Sequence, residues 1–175
     1  MRKLIDTCIA CAVLLSGAAP AAQENKIEKP VNALAWLVGG VWTADASKMG
    51  GGMMRIETRY QWPDNNSFVR FNTHFVSERG AAKTYDGNFF WNPDLKTYAM
   101  WYMNASNSIT EGPMTIKDDL MRMSFHGRNF EGKEAGMRVD VTRKNKDLYR
   151  WSLMERQGEE WKELAALDYA RKPGN

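Results

Sequence analysis

The sequence predicts an all-β domain of about ten antiparallel strands that close into a barrel, preceded by a short N-terminal helix. Runs of roughly four to ten residues rich in Val, Ile, Thr, Tyr, Phe and Trp recur about every ten residues, separated by turn-forming residues. No helical pattern of comparable length interrupts them, which disfavours a parallel α/β sheet. Closure is expected because it leaves no strand edge unpaired.

The N-terminal helix is predicted over Val31–Val38, where apolar residues recur at helical spacing before the glycine pair Gly39-Gly40. Turn-forming residues such as Asn92-Pro93-Asp94 and Gln157-Gly158 then separate the strands. The strands are predicted at residues 40–46, 53–62, 67–77, 82–91, 96–104, 107–116, 119–126, 134–144, 147–156 and 160–171.

Alternation along the strands predicts that one face of each is buried. On the second strand, one face carries Met54, Ile56, Thr58, Tyr60 and Trp62, and the other carries Arg55, Glu57, Arg59 and Gln61. On the ninth strand, Tyr149, Trp151 and Leu153 oppose Arg150 and Ser152.

Residues 1–21 have the features of a secretory signal peptide. Arg2 and Lys3 precede an apolar run over residues 8–15, and Ala19-Pro20-Ala21 supplies a cleavage pattern. The run is shorter than the ~20 residues of a membrane-spanning helix. We therefore predict a periplasmic or secreted protein without a membrane span, with a leader at residues 22–30 and a single domain at residues 31–175.

Cleavage would remove both cysteines, Cys8 and Cys11. The exported chain would then have no disulfide, no thiolate nucleophile and no cysteine-bound metal. A lipoprotein acylated at Cys11 is an alternative, but residues 8–11 fit the required motif poorly. With 24 basic and 21 acidic residues spread along the chain, no basic stripe indicates nucleic-acid binding.

The segment Leu34–Trp42, L-A-W-L-V-G-G-V-W, resembles the start of a calycin barrel, the superfamily of lipocalins, fatty-acid-binding proteins and nitrobindins. The resemblance implies that Trp42 plugs one end of the barrel and that a basic residue late in the last strand packs across its ring. Arg171 occupies that position, and a guanidinium over an indole is a favourable arrangement.

The pattern Y-x-G-x-F-F-W-x-P-x-x-K-x-Y at residues 85–98, followed by Gly112 and a strand at 120–125, is similar to bacterial DUF1579-type domains of unknown function. Those domains are lipocalin-like barrels. Within this segment Trp91 and Tyr98, and Tyr102 just beyond it, are candidate ligand contacts, because each offers a ring near a turn.

Two strands carry related polar patterns, Arg70-x-Asn72-x-His74 and Arg122-x-Ser124-x-His126. One hypothesis is a partly polar lumen lined by Arg70, His74, Arg122 and His126, since fatty-acid-binding proteins hold a carboxylate with an internal Arg. The alternative is a solvated outer face, which the more apolar opposite faces favour; these are Val69-Phe71-Phe75 and Met121-Met123-Phe125. If the polar set lies inside, a partner subunit must cover those apolar residues.

No cofactor is predicted. In nitrobindin-like barrels a His near the chain end binds haem, but residues 164–171 contain none, so haem would need His74, His126 or a Tyr. Exported methionines could bind Cu(I) through thioethers; the closely spaced ones are Met53, Met54, Met121 and Met123. They are also ordinary core residues.

The sequence predicts no catalytic residue, because it contains no G-x-S-x-G motif and no nucleophile with an adjacent base. The expected function is binding of a small apolar or amphipathic molecule, with an acidic group held by Arg if the polar strands face inward. The alternatives are a ligand-free barrel for protein interaction, including a homodimer, and then a haem protein, a copper protein or an enzyme.

Overall fold

The computed structural model describes residues 30–128 and 131–173; the predicted signal peptide and most of the predicted leader lie outside them. Two 3-10 helices, η1 (Pro30–Leu37) and η2 (Ser47–Met49), accompany ten strands in the described residues. The strands are β1 (Val41–Asp45), β2 (Met53–Gln61), β3 (Phe68–Ser77), β4 (Gly80–Asn92), β5 (Thr97–Asn104), β6 (Ile109–Lys117), β7 (Leu120–Arg128), β8 (Glu134–Asn145), β9 (Leu148–Gln157) and β10 (Glu160–Lys172).

Each strand pairs antiparallel with the next, and β1 pairs with β10, so the sheet closes into a barrel. The predicted ten-strand antiparallel barrel with a short N-terminal helix is confirmed. The strand ends differ from the predicted ones by at most two residues, for example at the start of β4 and of β6.

Side chains alternate between the inside and the outside of the barrel. On β3, Val69 and Phe71 are buried while Arg70 between them is exposed, and on β7 Met121 and Met123 are buried. The apolar faces therefore point inward.

The predicted inner face of β2 is observed for Ile56, Thr58 and Tyr60, which are all buried. Met54 departs from it and is 46% exposed. The pairing of β2 with β3 shifts register between Met53 and Arg55, and the extra residue of such a bulge leaves the regular alternation.

The end of the barrel next to η1 is closed by Trp42 and Arg171. The Trp42 Nε1 donates a hydrogen bond to the Leu37 carbonyl at 2.7 Å, and the Arg171 guanidinium lies 4.4 Å from the centre of the indole ring. Arg171 also donates to the carbonyls of Trp36, Val38 and Gly39. The predicted contact between Trp42 and Arg171 is therefore present, and the same guanidinium holds the turn between η1 and β1.

Gly40 is required where that turn enters β1. Its φ is 70°, which favours glycine, and a Cβ there would lie 2.5 Å from the Lys172 carbonyl oxygen and 3.1 Å from the Arg171 Cγ. The glycine two residues before Trp42 thus lets the backbone of β10 and the side chain of Arg171 approach the turn.

We expect Arg171→Ala to lower the free energy of unfolding by about 2–4 kcal/mol, because the cation–π contact is lost and the carbonyls of the turn between η1 and β1 lose their donor. Chemical denaturation measures this. Lys172→Ala, at the neighbouring exposed position, is the matched control and should stay within about 0.5 kcal/mol of the unmodified protein. Equal effects of the two changes would contradict the assigned role of Arg171.

Gly87→Ala is expected to destabilise the barrel by about 1–3 kcal/mol through overpacking. A Cβ on Gly87 would lie 2.7 Å from the Phe71 Cζ and would also meet the Trp101 carbonyl oxygen. Gly136, in β8, is the control, since a Cβ there would meet only Arg156, at an ordinary 3.5 Å. Thermal unfolding of Gly136→Ala should show no loss of stability; a comparable loss in both variants would refute the steric explanation.

Candidate functional site

The barrel encloses a cavity of about 820 Å³ that opens at the end opposite η1. We call this cavity the lumen. Its aromatic lining consists mainly of Phe71, Phe75, Tyr85, Phe89, Tyr102 and Phe125. A volume of this size lies within the range of small-molecule sites, roughly 300–1,000 Å³.

The aromatic rings contact one another along one side of the lumen. Phe71 stacks on Phe89 with ring centres 4.8 Å apart. Nearer the mouth, Tyr102 meets Tyr85 edge-on at 5.4 Å and Phe125 at 6.3 Å. This arrangement presents a continuous apolar surface to whatever occupies the lumen.

Methionines form much of the remaining wall. Met100, Met121, Met123 and Met137 line the lumen and are almost completely buried. Because a thioether side chain is unbranched and flexible, these residues can adjust to the shape of an occupant.

Five hydroxyl groups gather deep in the lumen, and we call them the hydroxyl floor. Its members are Thr58, Tyr60, Thr73, Tyr149 and Tyr169, and all five line the lumen. The Tyr60 and Tyr149 hydroxyls are 3.3 Å apart, and the Thr58 and Thr73 hydroxyls are 3.0 Å apart. The Thr58 hydroxyl also lies close enough to the Tyr169 phenol to lower its pKa, in opposition to the larger effect of burial.

Burial keeps these phenols protonated. Desolvation raises the pKa of Tyr60 to about 12, although its hydrogen bond with Tyr149 acts in the opposite direction. Desolvation likewise raises the pKa of Tyr149 and of Tyr169 well above the ordinary value. The hydroxyl floor is therefore polar but uncharged at neutral pH.

Of the three aromatic residues singled out in the sequence, the structure places one in the lumen. Tyr102 lines it and stands opposite Thr110 on the neighbouring strand β6. Trp91 and Tyr98 pack edge-on at 5.0 Å near the closed end, where the Tyr98 hydroxyl donates to the Pro30 carbonyl at 2.8 Å. Trp91 and Tyr98 contact each other, Tyr98 contacts η1, and neither residue lines the lumen.

The hypothesis that Arg70 and Arg122 line a polar lumen is wrong. Both lie on the outer wall, where Arg70 pairs with Asp86 at 2.9 Å and Arg122 pairs with Asp140 at 2.8 Å. Hydrogen bonding from Arg70 is the main reason that the pKa of Asp86 falls to about 2. The alternative, an outer polar face, is the arrangement observed.

Of the two histidines, His126 lines the lumen at its mouth and His74 does not. His74 stands on the outer wall, paired across the sheet with Glu57 and Lys83. His126 is exposed and reaches only the rim, close to Arg128. The prediction that His74 lines the lumen is therefore wrong, because His74 follows the outward alternation of β3, whereas His126 does line the lumen, at its mouth.

The apolar faces opposite those polar patterns point into the barrel. Met121 and Met123 are buried and Phe125 lines the lumen, so no partner subunit is needed to cover them. The outer wall instead exposes Trp101 and Met103, each 38% exposed.

The hydroxyl floor was missed by reasoning from the sequence. Its members come from β2, β3, β9 and β10, which are distant along the chain. The feature of the sequence that could have predicted it is a hydroxyl side chain on an otherwise apolar strand face, as at Thr58 and Tyr60 on β2.

Within residues 30–128 and 131–173, no helix is long and apolar enough to cross a membrane. In the same described part of the chain, no three His, Cys, Asp or Glu side chains are grouped so that they could share a metal ion.

Among solved structures, the chain is similar to the crystal structure of Rv2717c from M. tuberculosis. The TM-score is 0.50 and the sequence identity 13%, over 82% of this chain and 98% of that chain. Neither the models of protein families nor the curated proteins give a match. The structural similarity supports the fold alone, and the resemblances to calycins and DUF1579-type domains stay predictions.

The raised pKa values of the buried phenols predict a loss of stability in alkali. An unfolded Tyr ionises near pH 10, whereas Tyr60 in the folded barrel ionises only near pH 12. The stability that the raised pKa of Tyr60 contributes is therefore fully present below pH 10 and is lost as the pH rises from 10 to 12. Replacing Tyr60 and Tyr149 by Phe should make the decline shallower by roughly 1.4 kcal/mol per pH unit for each Tyr removed.

Urea unfolding at several pH values between 9 and 12 measures this slope. Absorbance near 295 nm should show these phenols ionising together with unfolding. Identical slopes for the unmodified protein and the double variant would contradict the assignment.

Proposed function

We propose that this protein binds a small, mostly apolar molecule in the lumen and does so outside the cytoplasm. The observation that carries the proposal is the cavity of about 820 Å³, open at one end and lined by aromatic and methionine side chains. Burial of apolar surface contributes about 25 cal/mol per Å², so a ligand of modest size can bind through its apolar contacts with the wall of the lumen alone. The predicted signal peptide supports the extracytoplasmic location.

The distribution of ionisable groups favours binding over acid–base catalysis. Apart from tyrosines, the ionisable residues that line the lumen in the described part of the chain are His126, Arg128 and Glu134, and all three lie at the mouth. General acid–base catalysis needs a group of suitable pKa within hydrogen-bonding reach of the reacting atom. The deep lumen offers apolar surface and neutral hydroxyls.

A carboxylate anchored by Arg70 or Arg122 is not part of this proposal. Both guanidiniums are engaged by aspartates on the outer wall, so neither can meet a ligand in the lumen. Accordingly, Arg70→Ala and Arg122→Ala are not expected to weaken an acidic ligand selectively.

A variant that fills the lumen tests the proposal. Leu153 on β9 lines the lumen, and Leu153→Trp adds a bulky ring to that space. We expect the Kd of the neutral fluorescent probe N-phenyl-1-naphthylamine to rise at least about tenfold, because less apolar surface remains to be buried. Fluorescence titration of the mature protein measures it.

Met154→Trp is the matched control, since the next residue on β9 alternates to the outer face. It should bind the probe as the unmodified protein does, with both variants folded by circular dichroism. Failure of the unmodified protein to bind the probe, or an equal effect of the two tryptophans, would overturn binding in the lumen.

A further inference from the structure

We infer that the ligand of the lumen carries an uncharged hydrogen-bond acceptor, such as a ketone, quinone or ester carbonyl, which receives a hydrogen bond from the hydroxyl floor. This inference rests on the proposed function and names the chemical class of its ligand. Two observations support it. The floor holds more O–H protons than its own contacts use, and the described residues that line the deep part of the lumen include no charged side chain that could pair with a charged ligand.

The hydroxyl floor has more donors than its own contacts use. Each hydroxyl has a single proton to donate. Tyr60 and Tyr149 form one contact and Thr58 and Thr73 form a second, and Thr58 also lies near the Tyr169 phenol. Five protons and at most three hydrogen bonds leave at least two O–H donors without an acceptor in the floor, one in the Tyr60–Tyr149 pair and one among Thr58, Thr73 and Tyr169.

Buried donors without an acceptor are rarer than acceptors with an unused lone pair. A wholly apolar ligand that filled the lumen would bury these two donors without replacing the hydrogen bonds that water offers. A carbonyl oxygen has two lone pairs and can satisfy them. The floor therefore selects for an acceptor at the deep end of the ligand.

A carboxylate fits the same place poorly. Charged side chains among the lining residues lie at the mouth, and the phenols of the floor are held in the neutral state by burial. An anion seated there would lose its hydration with no cation opposite it, which is costly. The favoured head group is neutral.

Three naphthalenes that differ only in the group at position 2 test the inference by displacement of N-phenyl-1-naphthylamine at pH 7.5. They are 2-acetylnaphthalene, 2-isopropylnaphthalene and 2-naphthoate. We expect the ketone to bind at least about fivefold tighter than the hydrocarbon and at least about tenfold tighter than the carboxylate.

Variants that remove whole hydroxyl groups locate the contact. The double change Tyr60→Phe with Tyr149→Phe removes one group, and the triple change Thr58→Val, Thr73→Val and Tyr169→Phe removes the other. The preference for the ketone over the hydrocarbon should fall below about twofold in at least one of them.

Tyr98→Phe is the matched control, because it removes the same kind of hydroxyl from outside the lumen, where the Tyr98 hydroxyl donates to the Pro30 carbonyl. This single variant should keep the preference. Retention of the preference by both multiple variants would overturn the inference.

If the multiple variants do not fold, the unmodified protein still gives a test. The infrared stretch of bound 2-acetylnaphthalene with a carbon-13 carbonyl should lie below its position in an alkane solvent, as expected for a hydrogen-bonded carbonyl. An unshifted band would overturn the inference.

The outcomes separate the two proposals. If neither the probe nor any of the naphthalenes binds, the proposed function fails and the inference fails with it. If the hydrocarbon binds as tightly as the ketone, or if 2-naphthoate binds most tightly, the protein is a lumen-binding protein and the inference alone is overturned.

Discussion

The structure depends on the seam where the first strand meets the last. Three residue pairs join β1 to β10, from Val41–Lys172 to Thr43–Ala170, whereas β9 and β10 share a much longer ladder. A short seam leaves few backbone hydrogen bonds to hold the barrel closed. Arg171 reinforces it, because the same side chain lies over Trp42 and binds the carbonyls of the turn that leads into β1.

Closing one end determines where a ligand can lie. The indole of Trp42 packs on Tyr149 at 4.7 Å, and Trp36 from η1 meets both rings, so the barrel is filled with aromatic side chains on that side. Space remains only toward the opposite end. Tyr149 belongs both to the plug and to the hydroxyl floor, and the rigid closed end therefore also positions the polar groups that a ligand would meet.

Much of the fold could be predicted because alternation and turn chemistry are local properties of the chain. The strand number and the strand ends followed from them, whereas the contact between Trp42 and Arg171 was implied by the resemblance to calycin barrels. The side of the barrel to which Arg70 and Arg122 point could not be predicted in this way, because spacing shows which residues share a face but not which face lies inside. Their partners, Asp86 and Asp140, stand on neighbouring strands and become visible only when the register is known.

The hydroxyl floor could not be predicted from the sequence either. The reason lies in the different free-energy costs of burying charged groups and hydroxyl groups. A guanidinium is too costly to leave in an apolar lumen without a partner, so the conspicuous charged residues are sorted to the outer wall. Hydroxyls cost less to bury when they bond to one another, as Thr58 and Thr73 do, and so they can stay inside. In the proposed ligand-binding role, selectivity is therefore expected to come from neutral groups on otherwise apolar faces. An uncharged ligand that accepts a hydrogen bond from the floor is favoured, and an anion is disfavoured because the charged residues among the described lining lie at the mouth.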